Sequence, residues 1–155
     1  MPSFHDFRFL STDGKHNVFA RECTPDGEVR AVLQIAHGVA EHVYRYAPFM
    51  EFLAENGFVV VANDHLGHGK TAENEQELCF FAEKDGWNDA VSDMDQLHKL
   101  TAAKYPDVPY FLFGHSMGSF LTRTYIIDHP EGLKGVVISG TGQNPGAVVA
   151  AGKLM

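Results

Sequence analysis

The run Tyr110-Phe111-Leu112-Phe113-Gly114-His115-Ser116-Met117-Gly118-Ser119 constrains this chain more than any other stretch. Four apolar residues lead straight into Gly-x-Ser-x-Gly, and an apolar-periodic segment continues to His129-Pro130. That order predicts a buried strand, a tight turn carrying a serine, and a helix. Glycines on both sides of the serine have a physical reason. The turn brings helix and strand so close that a side chain at either place would clash. A bare Gly-x-Ser-x-Gly is a weak signal, and the strand before it and the helix after it are what make this one specific.

The rest of the chain repeats the strand-helix alternation. Residues 4–10 alternate, with Phe7 and Phe9 on one face, and His16 to Cys23 reads as a second strand across the turn Ser11-Thr12-Asp13-Gly14-Lys15. Together they predict an antiparallel hairpin. Ala31 to Ala36 is a nearly continuous apolar run, as is Phe58-Val59-Val60-Val61-Ala62; strands buried on both faces have this character. Helical spacing lies between them (Phe49, Met50, Leu53, Ala54) and again from Trp87 to Tyr105 (Ala90, Met94, Leu97, Thr101), with Asp89, Asp93 and Asp95 expected to point elsewhere. Pro106 and Pro109 end the second helix, and Gly135-Val136-Val137-Ile138-Ser139 reads as a last strand. The expected class is α/β, a mostly parallel sheet with an N-terminal antiparallel hairpin and helices on both faces.

At 155 residues the chain has the length of one domain. A formal charge of -8 argues against nucleic acid or an anionic membrane surface as partner, because phosphate binding needs a basic face. No apolar stretch is long enough to span a bilayer, and no signal-peptide pattern opens the sequence. The two cysteines, Cys23 and Cys79, lack metal-ligand spacing and read as reduced structural thiols. A cytoplasmic location fits all of this.

Chemistry concentrates where strands end. A serine hydroxyl becomes a useful nucleophile when a base takes its proton, and a helix N-terminus favours the negative charge that develops. Ser116 is therefore the candidate nucleophile. His37-Gly38-Val39-Ala40 follows the third strand, where a second strand-to-helix loop can aim a backbone N–H at the same point, so Val39 and Met117 are the candidate oxyanion donors. Gly38, Gly114, Gly118, His37, His115 and Asp64 are expected to set the geometry of these loops, with His115 packed inside the turn. Asp64, His65, His68 and His37 could be imagined around a metal, yet none of the spacings is a specific metal pattern; loop-bracing hydrogen bonds are the expectation for most of the histidines, and no metal or cofactor is expected.

Three stretches in register carry a resemblance: His37-Gly38-Val39-Ala40-Glu41-His42, Asp64-His65-Leu66-Gly67-His68-Gly69-Lys70-Thr71 and Gly114-His115-Ser116-Met117-Gly118-Ser119. In order and spacing they resemble the α/β-hydrolase superfamily, and within it the monoacylglycerol lipase and lysophospholipase branch, which shares its sequence family with serine aminopeptidases. The likeness runs from about residue 4 to 141. Ala40, Thr71 and Ser119 stand where the branch commonly has Gly, Ser and Gly, each a small-for-small exchange. The resemblance implies the α/β-hydrolase fold and a serine esterase acting on small acyl esters, monoacylglycerol- or lysophospholipid-like, through an acyl-enzyme on Ser116. Gly114 to Gly118 would be its nucleophile elbow.

The same resemblance implies an acid and a histidine base after later strands, with a cap inserted before them. His129 is the one histidine downstream of Ser116, and a dozen helical residues put it about 18 Å away. The expectation is thus the N-terminal part of a single α/β-hydrolase domain over residues 1–141 and the start of the cap over 142–155, with the C-terminal strands and cap missing. The missing half or another chain would complete the sheet, and the 155 residues alone would lack the triad acid and base. The alternatives are a peptidase or small-ester hydrolase with the same machinery, and a non-catalytic α/β-hydrolase-like interaction module.

Overall fold

The computed structural model describes residues 1–143. In chain order the elements are β1 (Ser3–Leu10), β2 (Asn17–Thr24), β3 (Ala31–Ala36), α1 (Ala47–Glu55), β4 (Phe58–Asn63), α2 (Gly86–Lys104), β5 (Tyr110–His115), α3 (Met117–Asp128) and β6 (Leu133–Ser139). Short 3-10 turns at Val43–Tyr46 and Glu75–Glu77 lie between them. The cap expected over 142–155 falls almost wholly outside the described residues.

The strands form one sheet in the order β1-β2-β4-β3-β5-β6. β1 and β2 are the antiparallel hairpin, and β2 also runs antiparallel to β4, while β4, β3, β5 and β6 are mutually parallel. The hairpin therefore extends the sheet.

Residue alternation decides which helix covers which face. Val60 and Ala62 of β4, with Leu33 and Ile35 of β3, pack under Met50 and Ala54 of α1. Val59 and Val61, with Val32, Val18 and Ala20, pack under Leu97 of α2 on the opposite side. Ala90 and Met94 of α2 join Leu121 and Tyr125 of α3 over Ala36 and Leu112. A strand with an apolar layer on each side has no solvent face to mark with polar residues, so β3 and β4 read as unbroken apolar runs. Each fully buried valine in them contributes roughly 1.5–2 kcal/mol. At the other edge β6 pairs with β5 alone, and Val137 is 52% exposed.

Proline and glycine set the helix ends as expected. Pro48 lies in the first turn of α1, Gly57 follows its C-cap with φ 88°, and Tyr105 caps α2 just before Pro106.

Asp93 departs from the sequence reading. It is buried, 1% exposed, instead of turned outward. Its carboxylate accepts the Ser11 hydroxyl at 2.8 Å, the Thr12 N–H at 2.7 Å and the Thr12 hydroxyl at 3.1 Å, so it pins the β1–β2 turn to α2. An apolar stripe reports only which residues a helix must bury; it does not exclude a carboxylate that finds donors on a neighbouring turn. Cys79 is also exposed, and only Cys23 is a buried thiol.

Candidate active site

β5 ends at His115 and α3 begins at Met117, leaving Ser116 alone to turn the chain. It does so at φ 52° and ψ -119°, a conformation that costs an L-residue about 1–3 kcal/mol and persists only where its surroundings over-determine it. The restraints are visible. The Ser116 N–H donates to the Ser139 carbonyl at 2.9 Å, and the Ser116 carbonyl accepts the Ser119 N–H at 2.9 Å and the Ser119 hydroxyl at 2.6 Å. A methyl group on Gly118 would strike the backbone of Ala36 and the His37 carbonyl, and one on Gly114 would strike Thr122 Oγ1 and the Gly118 backbone. The first turn of α3 thus rests directly on the ends of β3 and β5.

The loop after β3 reaches the same point. A Cβ on Gly38 would lie 3.1 Å from the Ser116 Cβ, so the loop passes the serine too closely to carry a side chain there without crowding. The Gly38 carbonyl accepts His37 Nδ1–H at 2.8 Å and the Glu41 N–H at 3.3 Å. Because a trans peptide directs its N–H opposite its carbonyl, pinning the Gly38 carbonyl fixes the direction of the Val39 N–H. Among the described residues neither the Val39 nor the Met117 N–H meets a hydrogen-bond acceptor. Ala40 completes the turn at φ 56°.

His37 is fully buried, and its tautomer follows from its neighbours. Nε2 accepts the His65 N–H at 3.1 Å, so the ring proton is on Nδ1, the atom that holds the Gly38 carbonyl. Burial pushes its pKa down to about 4, with His68 adding to the shift and the Gly38 carbonyl opposing it. The His65 ring lies 4.3 Å from that of His37, and burial drives its pKa well down too. His68 braces its own loop through Nδ1 and the Leu66 carbonyl at 2.8 Å. His37 and His68 are loop braces; His65 is not, because both of its ring nitrogens lack a partner among the described residues.

Asp64 ties two loops together. Its carboxylate accepts the Val43 N–H and the Lys70 N–H, each at 2.7 Å, and the close fit of Gly69 against it excludes a side chain there. Burial raises the Asp64 pKa above the usual carboxylate range, against the two N–H groups.

Three contributions have no signature in the sequence. Glu41, inside the first motif, has its Oε2 on the Gly38 N–H and on the Tyr46 hydroxyl, each at 2.8 Å, and its Oε1 on Arg45 Nε at 2.8 Å. Burial raises its pKa, yet Tyr46, the Gly38 N–H and Arg45 outweigh that and hold it below the ordinary value. Ser139, at the end of β6, meets the elbow through its carbonyl and, at 3.2 Å, through its hydroxyl to His115 Nδ1. Gly140 at φ 61° leaves room for the His115 ring, which is half-buried instead of enclosed.

Among the described residues no histidine hydrogen-bonds to Ser116, and His129 caps the far end of α3. No group of three or more His, Cys, Asp or Glu among them is placed to hold a metal ion.

A sheet of this order, with a strained serine between β5 and α3, agrees with the comparison to known families. The family described as serine aminopeptidase, S33, matches residues 27–154. The chain belongs to this family of α/β-hydrolases. Among its S33 relatives, the mouse monoglyceride lipase is 31% identical over 129 residues, covering 83% of this chain and 40% of that protein. The Mycolicibacterium smegmatis monoacylglycerol lipase is 33% identical over 121 residues, 78% of this chain and 41% of that protein. A thermostable carboxyl esterase from Bacillus coagulans, solved in complex with glycerol, superposes with a TM-score of 0.88 at 40% identity, over 98% of this chain and 49% of that one. The S33 chain thus spans somewhat under half the length of the proteins it matches, and within the family it sits in the monoacylglycerol lipase branch.

Proposed function

We propose that the protein is a carboxylic ester hydrolase working through an acyl-enzyme on Ser116, with monoacylglycerol- or lysophospholipid-like substrates. The observation that carries the reading is the strained Ser116 backbone at the start of α3, with the opposing loop so near at Gly38 that a side chain there would crowd the Ser116 Cβ. The relatives named for monoglyceride lipase and carboxyl esterase activity support the substrate class.

In this reading Ser116 Oγ adds to the acyl carbonyl as a base takes its proton, and the carbonyl electrons move onto oxygen. The Val39 and Met117 N–H groups hold that oxyanion. Collapse expels the alcohol, which takes up a proton, and water repeats the sequence to release the acid. Removing one such donor costs a hydrolase about 100- to 1000-fold in turnover. No cofactor is required. The base and its orienting acid come from polypeptide other than residues 1–143, and that polypeptide also covers β6. The same polypeptide, beginning at the cap, selects the substrate. No helix among the described residues is long and apolar enough to cross a membrane. The family's description as serine aminopeptidases favours one second reading, cleavage of an N-terminal peptide bond by the same machinery.

A fluorophosphonate probe tests the nucleophile. Labelling that maps to Ser116 and disappears in Ser116→Ala is expected; an intact protein that takes up no probe while remaining folded refutes the proposal. Monoacylglycerols of graded chain length, set against aminoacyl arylamides, separate the esterase from the peptidase reading.

A further inference from the structure

We propose that Glu41 is a positioning residue, a strut whose carboxylate holds the His37–Glu41 turn at the distance from Ser116 where the Val39 N–H meets the oxyanion. The inference rests on the ester-hydrolase reading of Ser116 and deepens it.

The turn is confined from two sides. On one side the space between Gly38 and the Ser116 Cβ is too small for a methyl group to fit easily, so the loop has little room to move toward the serine. On the other, Glu41 Oε2 holds the Gly38 N–H, so the loop cannot retreat without exposing a donor that burial leaves with no substitute. A methyl group on Gly38 would come within 2.8 Å of that same oxygen, which shows how little space lies between carboxylate and serine. The restraint on the Gly38 N–H is distinct from that on its carbonyl. His37 Nδ1 sets the rotation of the Gly38–Val39 peptide, and Glu41 sets where the preceding peptide sits.

The strut is itself anchored. Oε2 also accepts the Tyr46 hydroxyl, and Tyr46 packs against the core cluster built on Met50 and Ala54 of α1. The carboxylate therefore couples the oxyanion turn to a rigid helix. The Arg45 arm is different in kind: its side chain is 69% exposed, and an i,i+4 pair in solvent adds little. Tyr46 and Gly38 are the partners that matter. Glu41 touches no reacting atom in this arrangement, so its effect reaches the substrate only through the Val39 N–H.

Two measurements on the intact protein test this. The first is independent of catalysis: hydrogen exchange at the Gly38 amide, followed by NMR in a Ser116→Ala background. Adding Glu41→Ala should speed exchange at Gly38 at least about tenfold, in line with loss of one buried hydrogen bond, with Glu41→Gln, whose side-chain carbonyl still accepts, close to the parent. Unchanged exchange at Gly38 overturns the proposal even if the protein hydrolyses nothing. The second is kinetic. Glu41→Ala should lower kcat about 10- to 100-fold with KM within twofold, less than deletion of an oxyanion donor outright, and Glu41→Gln should restore most of it. Thionoester substrates supply the specific readout: a misplaced oxyanion donor narrows the preference for oxygen over sulfur at the acyl carbonyl. A raised KM with normal kcat, or kcat and melting temperature falling together without rescue by glutamine, overturns the proposal. Absence of probe labelling at Ser116 in the parent protein would refute the ester-hydrolase reading instead, and the Gly38 exchange still decides the strut.

Discussion

Mild acid should weaken this fold through His37, by an amount the structure sets. In the folded protein the ring must stay neutral, because Nε2 accepts the His65 N–H while Nδ1–H holds the Gly38 carbonyl. Its pKa falls from the ordinary 6.5 to about 4. The unfolded chain therefore takes up a proton near pH 6.5 that the folded chain refuses until about pH 4, and protonation favours unfolding throughout that window. The stability His37 contributes is present above pH 6.5 and is lost as the pH falls toward 4, at most about 3 kcal/mol. Between pH 7 and pH 5 the loss from this one residue is about 2 kcal/mol. His65 is shifted in the same direction, so the whole protein should lose more. Asp64 and Asp93, whose pKa values burial raises, act with the opposite sign and gain stability as the pH drops through their folded values. The comparison that isolates His37 is urea unfolding at pH 7 and pH 5 for the parent and for His37→Gln, which cannot be protonated. The pH-dependent loss should be smaller in the variant by about 2 kcal/mol. Equal losses in the two proteins would refute the reasoning, since they would mean that the buried imidazole is either protonated when folded or not shifted.

Two further outcomes follow from packing. Gly118→Ala places a methyl group against the backbone of Ala36 and His37, which cannot move aside as a side chain can, so the variant should lose at least about 1–3 kcal/mol in urea melts and label poorly with a fluorophosphonate. Asp93→Ala removes the acceptor for the Ser11 hydroxyl and for the Thr12 N–H and hydroxyl, and should cost about 2–4 kcal/mol, with Asp93→Asn recovering part of it; a loss under about 0.5 kcal/mol would mean the β1–β2 turn is not held by α2.

The legible parts of this chain were those in which cause and effect are close in sequence. The elbow spans five residues, and its glycines answer to clashes within that span, with the helix that follows or with the strands it abuts. The valine run of β4 signals burial on both faces because α1 and α2 cover it from opposite sides. The chemistry of support was much less visible. Asp93 sits in a helix whose apolar stripe is complete without it, and its donors are eighty residues away in a turn that any Ser-Thr-Asp-Gly sequence could form. Glu41 stands inside a motif, and its i,i+4 spacing to Arg45 is readable, but the partners that hold the turn are a backbone N–H and a tyrosine, neither of which leaves a recognisable pattern. A hydrogen bond from side chain to backbone constrains only one residue type of the pair.

Ser139 shows where this matters for the site. Ser116 keeps an unfavourable backbone conformation only because other groups hold it, and one of them is the Ser139 carbonyl on the Ser116 N–H. β6 is one of the two edge strands among the described residues, paired on one side and half exposed at Val137. The strain at Ser116 is thus balanced partly by an edge strand of the sheet. Covering β6 would do more than bury apolar surface: by holding Ser139 in place it would keep Ser116 in its strained backbone geometry. The sheet edge and the Ser116 backbone are thus linked by a direct hydrogen bond, so loosening one should loosen the other.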